Sequence, residues 1–304
     1  MLMKGIEAYL AVRRAGGFKL CNEENQLRRF VKFAATCGDR HVRSETVLAW
    51  AASAPSPHRR ERWLRTVAAF ARYARAEDAA HEIPAVGVFA SSRPERSLPH
   101  IYSPNEVRRI LRAASQLGPR GTLRPYTYYT LFGLLMCTGL RISEALRLRL
   151  TDVTSDGLVV RETKFHKSRL VPLHKTAVAA LERYIRRRID VSSESDHLFV
   201  SSQGCALWYQ KVDKTFLEIV RGLGMHTGPG HRGPRIHDMR HTLAVRVLEA
   251  GPDSRDHIGQ HVRALSTYLG HCGVAETYWY LQVTPQLMKD MADACEAVVD
   301  GCAR

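Results

Sequence analysis

Through the first eighty residues, apolar positions recur at the three-and-four spacing of helices that bury one face. Ile6, Tyr9, Leu10 and Arg13 open a first helix. A second starts at Asn22 or Glu23, with Leu27, Phe30, Val31 and Ala34 in phase, and Ser44 leads a third through Val47, Leu48 and Ala51. His58 to Ala76 reads as a fourth, with Trp63, Val67, Phe70, Tyr73 and Ala74 as its apolar stripe. Its other side carries Arg59, Arg60, Arg62, Arg65, Arg72 and Arg75. Such a run is ordinarily a solvated face, but six arginines against one Glu is one-sided, and Arg59, Arg62, Arg65 and Arg72 are candidates for contact with a phosphate backbone.

Periodicity stops between Ile83 and His100, where three prolines fall in eighteen residues. This predicts a linker over 84–100 between an N-terminal helical domain, 1–83, and a second domain, 101–304. The second domain opens on Ser103, Pro104 and Glu106, the pattern of an N-cap, a first-turn proline and a capping-box partner. Leu123 to Cys137 is apolar and too long for a strand, so it predicts a buried helix. Residues 158–173 alternate and are rich in Val and Leu, as two strands about a polar turn would be. Helices follow at about 174–189, 206–222, 236–250, 257–269, 274–281 and 285–299. The last has Leu287, Met291, Cys295, Val298 and Val299 on one side, a face suited to packing on its own domain or on a neighbour. The expected class is mainly α, with one small antiparallel sheet in the second domain.

Charge narrows the partner. The chain of 304 residues carries a net +15, spread as +7 over residues 1–98 and +8 over the remainder. Two separately basic halves fit a polyanion touched by both domains, and nucleic acid is the commonest polyanion. No apolar run approaches the length of a membrane span, and the first residues lack the pattern of a signal peptide. Seven cysteines, scattered and never in CxxC spacing, argue against a disulfide framework. The expected compartment is the reducing cytoplasm, at the nucleoid when DNA is bound.

Four short segments carry candidate chemistry: Thr138-Gly139-Leu140-Arg141-Ile142-Ser143-Glu144; the basic turn from Thr163 through Lys164, Lys167 and Arg169 to Leu173; His237-Asp238-Met239-Arg240-His241; and Leu269-Gly270-His271, with Thr277 and Tyr280 following. Taken singly, each has a bland reading. Arg141 at a helix start could pair with Glu144 on the surface, and the lysines of a turn are usually solvated. His237 and Arg240 share a helix face as a structural pair would. His231, His237 and His241 admit zinc, but neither HExxH nor a Cys pair accompanies them.

In order and spacing, the segments resemble the tyrosine recombinase, or lambda-integrase-like, family. Its members carry a TGLRxSE box, a lysine in a β-hairpin, an HxxRH box, an LGH box and a tyrosine about nine residues on. The resemblance is closest to the integrases of transposons and other mobile elements, and it spans Thr138 to Tyr280. It implies a SAM-like helical core-binding domain followed by a catalytic domain of the DNA breaking-rejoining type, the two clamping a duplex. It also implies site-specific cutting and rejoining of DNA through a 3′-phosphotyrosine, for integration, excision or transposition, without metal, ATP or other cofactor. Tyr280 would be the nucleophile, favoured over Tyr278 by spacing and by Thr277. Arg141 and Arg240 would hold the phosphate oxygens, and Lys164 would protonate the leaving oxygen. His237 and His271 would assist, with Lys167 and Arg169 as further DNA contacts. The implied assembly is a homotetramer on two double-stranded sites, monomeric or dimeric when free. A type IB topoisomerase and a catalytically silent DNA-binding regulator of the same fold are the alternatives. The interval from Arg240 to His271 is longer than in compact members of the family.

Overall fold

A computed structural model describes residues 2–89, 98–161, 168–191, 195–225, 233–250, 258–271, 273 and 275–281, with residues 258, 275 and 281 described by their backbone alone. The chain divides into two compact units, Met1–Ser97 and Leu98–Arg304.

The first unit is four helices: α1 (Leu2–Ala15), α2 (Cys21–Thr36), α3 (Ser44–Ala52) and α4 (Pro57–Glu77). The apolar stripes meet as the periodicity predicts. Ile6, Leu27, Phe30, Val47, Leu64, Val67 and Phe70 are fully buried in one core, and the rings of Trp50 and Trp63 stack 4.6 Å apart. Ser56 caps α4 by accepting the amide of Arg59, with Pro57 in the first turn. Past α4 the chain stays on this unit for several residues. The amide of Glu82 donates to the carbonyl of Val42, its carboxylate accepts the amide of Ser44, and Gly87 donates its amide to the buried carboxylate of Glu61.

In the second unit, α5 (Pro104–Ser115) begins at the expected capping box of Ser103 and Glu106. α6 (Arg124–Thr138) is the apolar helix. Its Leu131, Phe132 and Leu135 lie at the centre of a core shared with Ile110, Leu181, Tyr184, Phe199 and Phe216. Deleting a ring such as Phe132 from such a core costs about 3–5 kcal/mol. The short helix α7 (Ile142–Ala145) leads through a 3₁₀ turn, Leu150–Asp152, to the sheet. Strand β2 (Gly157–Val160) pairs antiparallel with β3 (Arg169–Val171), as expected, and on its other edge with β1 (Val153–Thr154). β1 and the 3₁₀ turn are too short to leave a period in the sequence. The turn at 162–167, with Lys164 and Lys167, lies outside the described residues.

The remaining helices are α8 (Lys175–Ile189), α9 (Tyr209–Gly222), α10 (His237–Glu249), α11 (Ile258–Leu269) and α12 (Ala275–Leu281). They match the expected helices to within three residues at each end. The expected helix at 285–299 lies outside the described residues, as do 251–257 in the long interval before α11. A second, smaller core joins α10, α11 and α12 through Val245, Leu248, Val262, Leu265, Leu269 and Tyr280. Among the described residues, no helix is long and apolar enough to cross a membrane.

Candidate active site

The site forms where three helix ends converge. α6 terminates at Gly139, whose backbone is left-handed (φ 61°) and whose amide caps the carbonyl of Leu135. A Cβ at Gly139 would meet Leu243 at 2.8 Å and Leu269 at 2.9 Å, so α10 and α11 crowd this turn. Arg141 follows at the N-cap of α7. α11 ends in the turn at Gly270, also left-handed (φ 69°), which delivers His271. α10 crosses both ends and carries His237, Arg240 and His241.

Arg240 is only 2% exposed. Its Nη1 donates to the carbonyl of Gly139 at 2.7 Å and its Nη2 to that of Leu269 at 2.8 Å. Both acceptors sit at helix C-termini, where unpaired carbonyls carry partial negative charge. Arg141 leans on a third such carbonyl, that of Gly270, with both terminal nitrogens at 3.4 Å. Two guanidiniums that repel each other are thus held together by the negative ends of α6 and α11. Burial, and then the charge of Arg141, bring the Arg240 pKa down to about 10, which leaves it a cation at neutral pH.

One carboxylate sits inside this cluster. Glu144, 3% exposed, accepts the amide of Arg141 at 3.0 Å and its Nη1 at 2.9 Å. Its two oxygens also receive Arg169, at 3.3 and 2.9 Å. Burial pushes the Glu144 pKa up, but the bonds from Arg169 and Arg141 outweigh it, and the net shift is down. Three guanidiniums against one carboxylate leave the pocket cationic.

Tyr280 reaches this pocket from α12 within the same chain. It is 3% exposed, its hydroxyl lies 3.1 Å from Nδ1 of His241, and it lies in the field of the Arg240 and Arg141 guanidiniums. Its ring stacks on His271 at a centroid distance of 6.0 Å. Burial raises the phenol pKa, and the two arginines only partly offset this, so the resting tyrosine is neutral. Thr277, one turn back, is fully buried and places Oγ1 2.7 Å from Nδ1 of His271. Tyr278 is 54% exposed, on the outward side of α12.

All three imidazoles are poised neutral. Burial, then Arg240 and Arg141, bring His271 down to about 3. Burial and the neighbouring His237 bring His241 down to about 4, and desolvation followed by Arg240 lowers His237.

Of the residues singled out in the sequence, Arg141, Arg240, His271 and Tyr280 therefore meet in one pocket, with His237 one helical turn from His241. Arg59, Arg62, Arg65 and Arg72 stand exposed on α4, with Arg65 paired to Glu61. Arg169, expected among the DNA contacts, has its guanidinium bonded to Glu144 and the carbonyl of Tyr268. His241, which the sequence offers only as a candidate metal ligand, lies against the tyrosine hydroxyl. Its place next to Arg240 and one turn from His237 was the available signal.

Residues 101–286 match the profile of the phage integrase family. The protein y4rB of Sinorhizobium fredii, which carries an integrase/recombinase name, is 40% identical to this chain over 298 residues, covering 94% of each. The chain belongs to the phage integrase family. The tyrosine recombinase XerD of Oceanobacillus iheyensis is similar at 33% identity, over 65% of this chain and 62% of its own length. Among solved phage integrase folds, the Tn1549 transposon integrase in complex with transposon right-end DNA superposes with a TM-score of 0.64 at 18% identity, covering 96% of this chain and 99% of that one. A lambda integrase tetramer bound to a Holliday junction gives 0.62 at 16% identity, over 92% and 76%. At these identities the likeness is one of fold.

Proposed function

We propose that this chain is a site-specific DNA recombinase that cuts and rejoins strands through Tyr280. The observation that carries the reading is the tyrosine hydroxyl held in hydrogen-bond reach of His241, in the field of Arg240 and Arg141 and beside His271, in a cationic pocket. Relatives with recombinase and integrase names support it, and they do not favour a topoisomerase or a silent regulator.

The scissile phosphate enters with its non-bridging oxygens toward Arg141 and Arg240. Guanidinium binds such oxygens in a fixed fork and keeps its charge as negative charge builds in the transition state. Oη of Tyr280 attacks phosphorus in line. The P–O5′ bond breaks, leaving a 3′-phosphotyrosine and a 5′ hydroxyl. A free phenol, with pKa about 10, is a poor nucleophile at neutral pH. In the tautomer with Nδ1 unprotonated, His241 accepts the hydrogen bond of the phenol and draws on its proton. Lys164 is the group we assign to protonate the departing 5′ oxygen. His237 and His271 face the phosphate, whose charge raises their proton affinity. The phosphotyrosine keeps the energy of the broken diester, so a 5′ hydroxyl from another strand reseals it without ATP.

The finer reading is a homotetramer joining two double-stranded sites, in the cytoplasm, serving integration, excision or transposition of a mobile element. Residues 1–83 would be the core-binding domain and 101–304 the catalytic one, joined by a linker at 84–100. In the test, a nicked suicide duplex carrying the junction sequence of the chain's own element is incubated with the protein and resolved on a denaturing gel. A covalent protein–DNA band that Tyr280→Phe removes while retaining DNA binding is the expected result. A band that survives Tyr280→Phe would overturn the reading.

A further inference from the structure

From its contacts we infer that Arg169 is a positioning residue of this active site: a partly buried strut that ties three catalytic segments together without touching DNA. The inference rests on the recombinase reading and deepens it.

Arg169 is the first residue of β3 and lies opposite Val160 of β2, the strand pair nearest the turn. Its side chain is 13% exposed. Nε donates to the carbonyl of Tyr268 at 3.0 Å. Nη1 and Nη2 donate to Oε1 and Oε2 of Glu144, the fork-to-fork geometry only arginine offers. Glu144 in turn holds the amide and Nη1 of Arg141. The same guanidinium lies against Gly270, where a Cβ would come within 2.6 Å of Nη1. One side chain therefore spans the hairpin, the Arg141 box and the turn that delivers His271. Three of its five N–H groups are taken up by protein, one on each nitrogen, which fixes the guanidinium in place and sets it apart from the exposed arginines of α4. Lysine keeps the charge but loses the fork, and cannot bridge Glu144 and the Tyr268 carbonyl at once.

The test compares wild type with Arg169→Lys and Arg169→Gln, each first checked for a cooperative thermal transition. At saturating DNA, Arg169→Lys should slow covalent adduct formation by about 10- to 100-fold, the scale expected for a misplacement near 1 Å. Kd and its salt dependence should not move. On a duplex with methylphosphonate at the scissile position, which removes one charged oxygen from the arginine clamp, the deficit should shrink. Weaker binding with a shallower salt slope would make Arg169 a DNA contact, and an equal deficit on both substrates would make it a general fold element; either overturns the inference. A wild-type protein that forms no adduct would instead count against the recombinase reading. The imidazole resonances of His271 in free protein provide a readout independent of DNA. They should shift in Arg169→Lys as the Gly270 turn relaxes, and unchanged resonances overturn the inference whether or not DNA is cut.

Discussion

On α4, Arg59, Arg62, Arg65 and Arg72 stand exposed, and among the described residues only Arg65 of the four pairs with a carboxylate. In the second unit Arg240 is 2% exposed and Arg169 13%, and their donors end on backbone carbonyls and Glu144. One residue type serves two purposes. An exposed arginine is hydrated, mobile and screened by salt, so it can attract a polyanion but cannot fix a transition state. A buried one has its orientation set before substrate arrives, in a medium where its charge acts strongly. The cost of burying like charges is offset here by helix C-termini and one carboxylate. The contrast teaches that net charge locates a partner, while buried hydrogen-bonded charge locates chemistry.

The largest expected effect lies on the buried side. Arg240→Lys keeps a cation but cannot span the carbonyls of Gly139 and Leu269 while facing a phosphate. Adduct formation should drop by about 10²- to 10³-fold in single-turnover assays, with little change in Kd. His241→Asn comes next. It retains a polar atom near the tyrosine hydroxyl without a titratable one, and cleavage should fall by about 10²-fold with a flattened pH–rate profile. A near-normal rate would reduce His241 to packing.

The exposed side should respond differently. Arg62→Ala and Arg72→Ala should each weaken binding several-fold and lower the salt slope by about one, leaving the rate at saturation unchanged. A drop in saturated rate would dissolve the contrast between the two regions. The smallest expected effect is on stability. His241 and His271 have folded pKa values of about 4 and about 3, below an unfolded value of about 6.5. The unfolded chain binds protons first, so the stability they contribute is complete above about pH 7 and is lost as pH falls through 6.5 toward those folded values. Denaturant melts of wild type and His271→Asn at pH 7 and pH 5 should show the larger loss in wild type.

Much of this was legible in the sequence. The helix stripes, the buried α6 and the pairing of β2 with β3 follow from periodicity. Arg141, Arg240, His271 and Tyr280 stand out because their boxes keep order and spacing. What stayed hidden depends on tertiary approach. Arg169 sits in a basic turn region whose charge reads as solvated, and nothing local shows that Glu144, twenty-five residues upstream, closes on it. His241 shares its helix face with His237, which invited a metal reading, while its contact with Tyr280 spans thirty-nine residues. β1 and the 3₁₀ turn at Leu150–Asp152 are two and three residues long, too short to show a pattern.

The central claim is that the hydroxyl of Tyr280, set among two guanidiniums and neutral imidazoles, becomes esterified to the DNA backbone. Trapping the covalent complex on a suicide duplex, digesting it with protease and sequencing the nucleotide-bearing peptide by mass spectrometry tests this most directly. The account predicts a phosphate ester on Tyr280 joined to the 3′ end of the cut strand. An ester on the exposed Tyr278, or on the 5′ end, would contradict it.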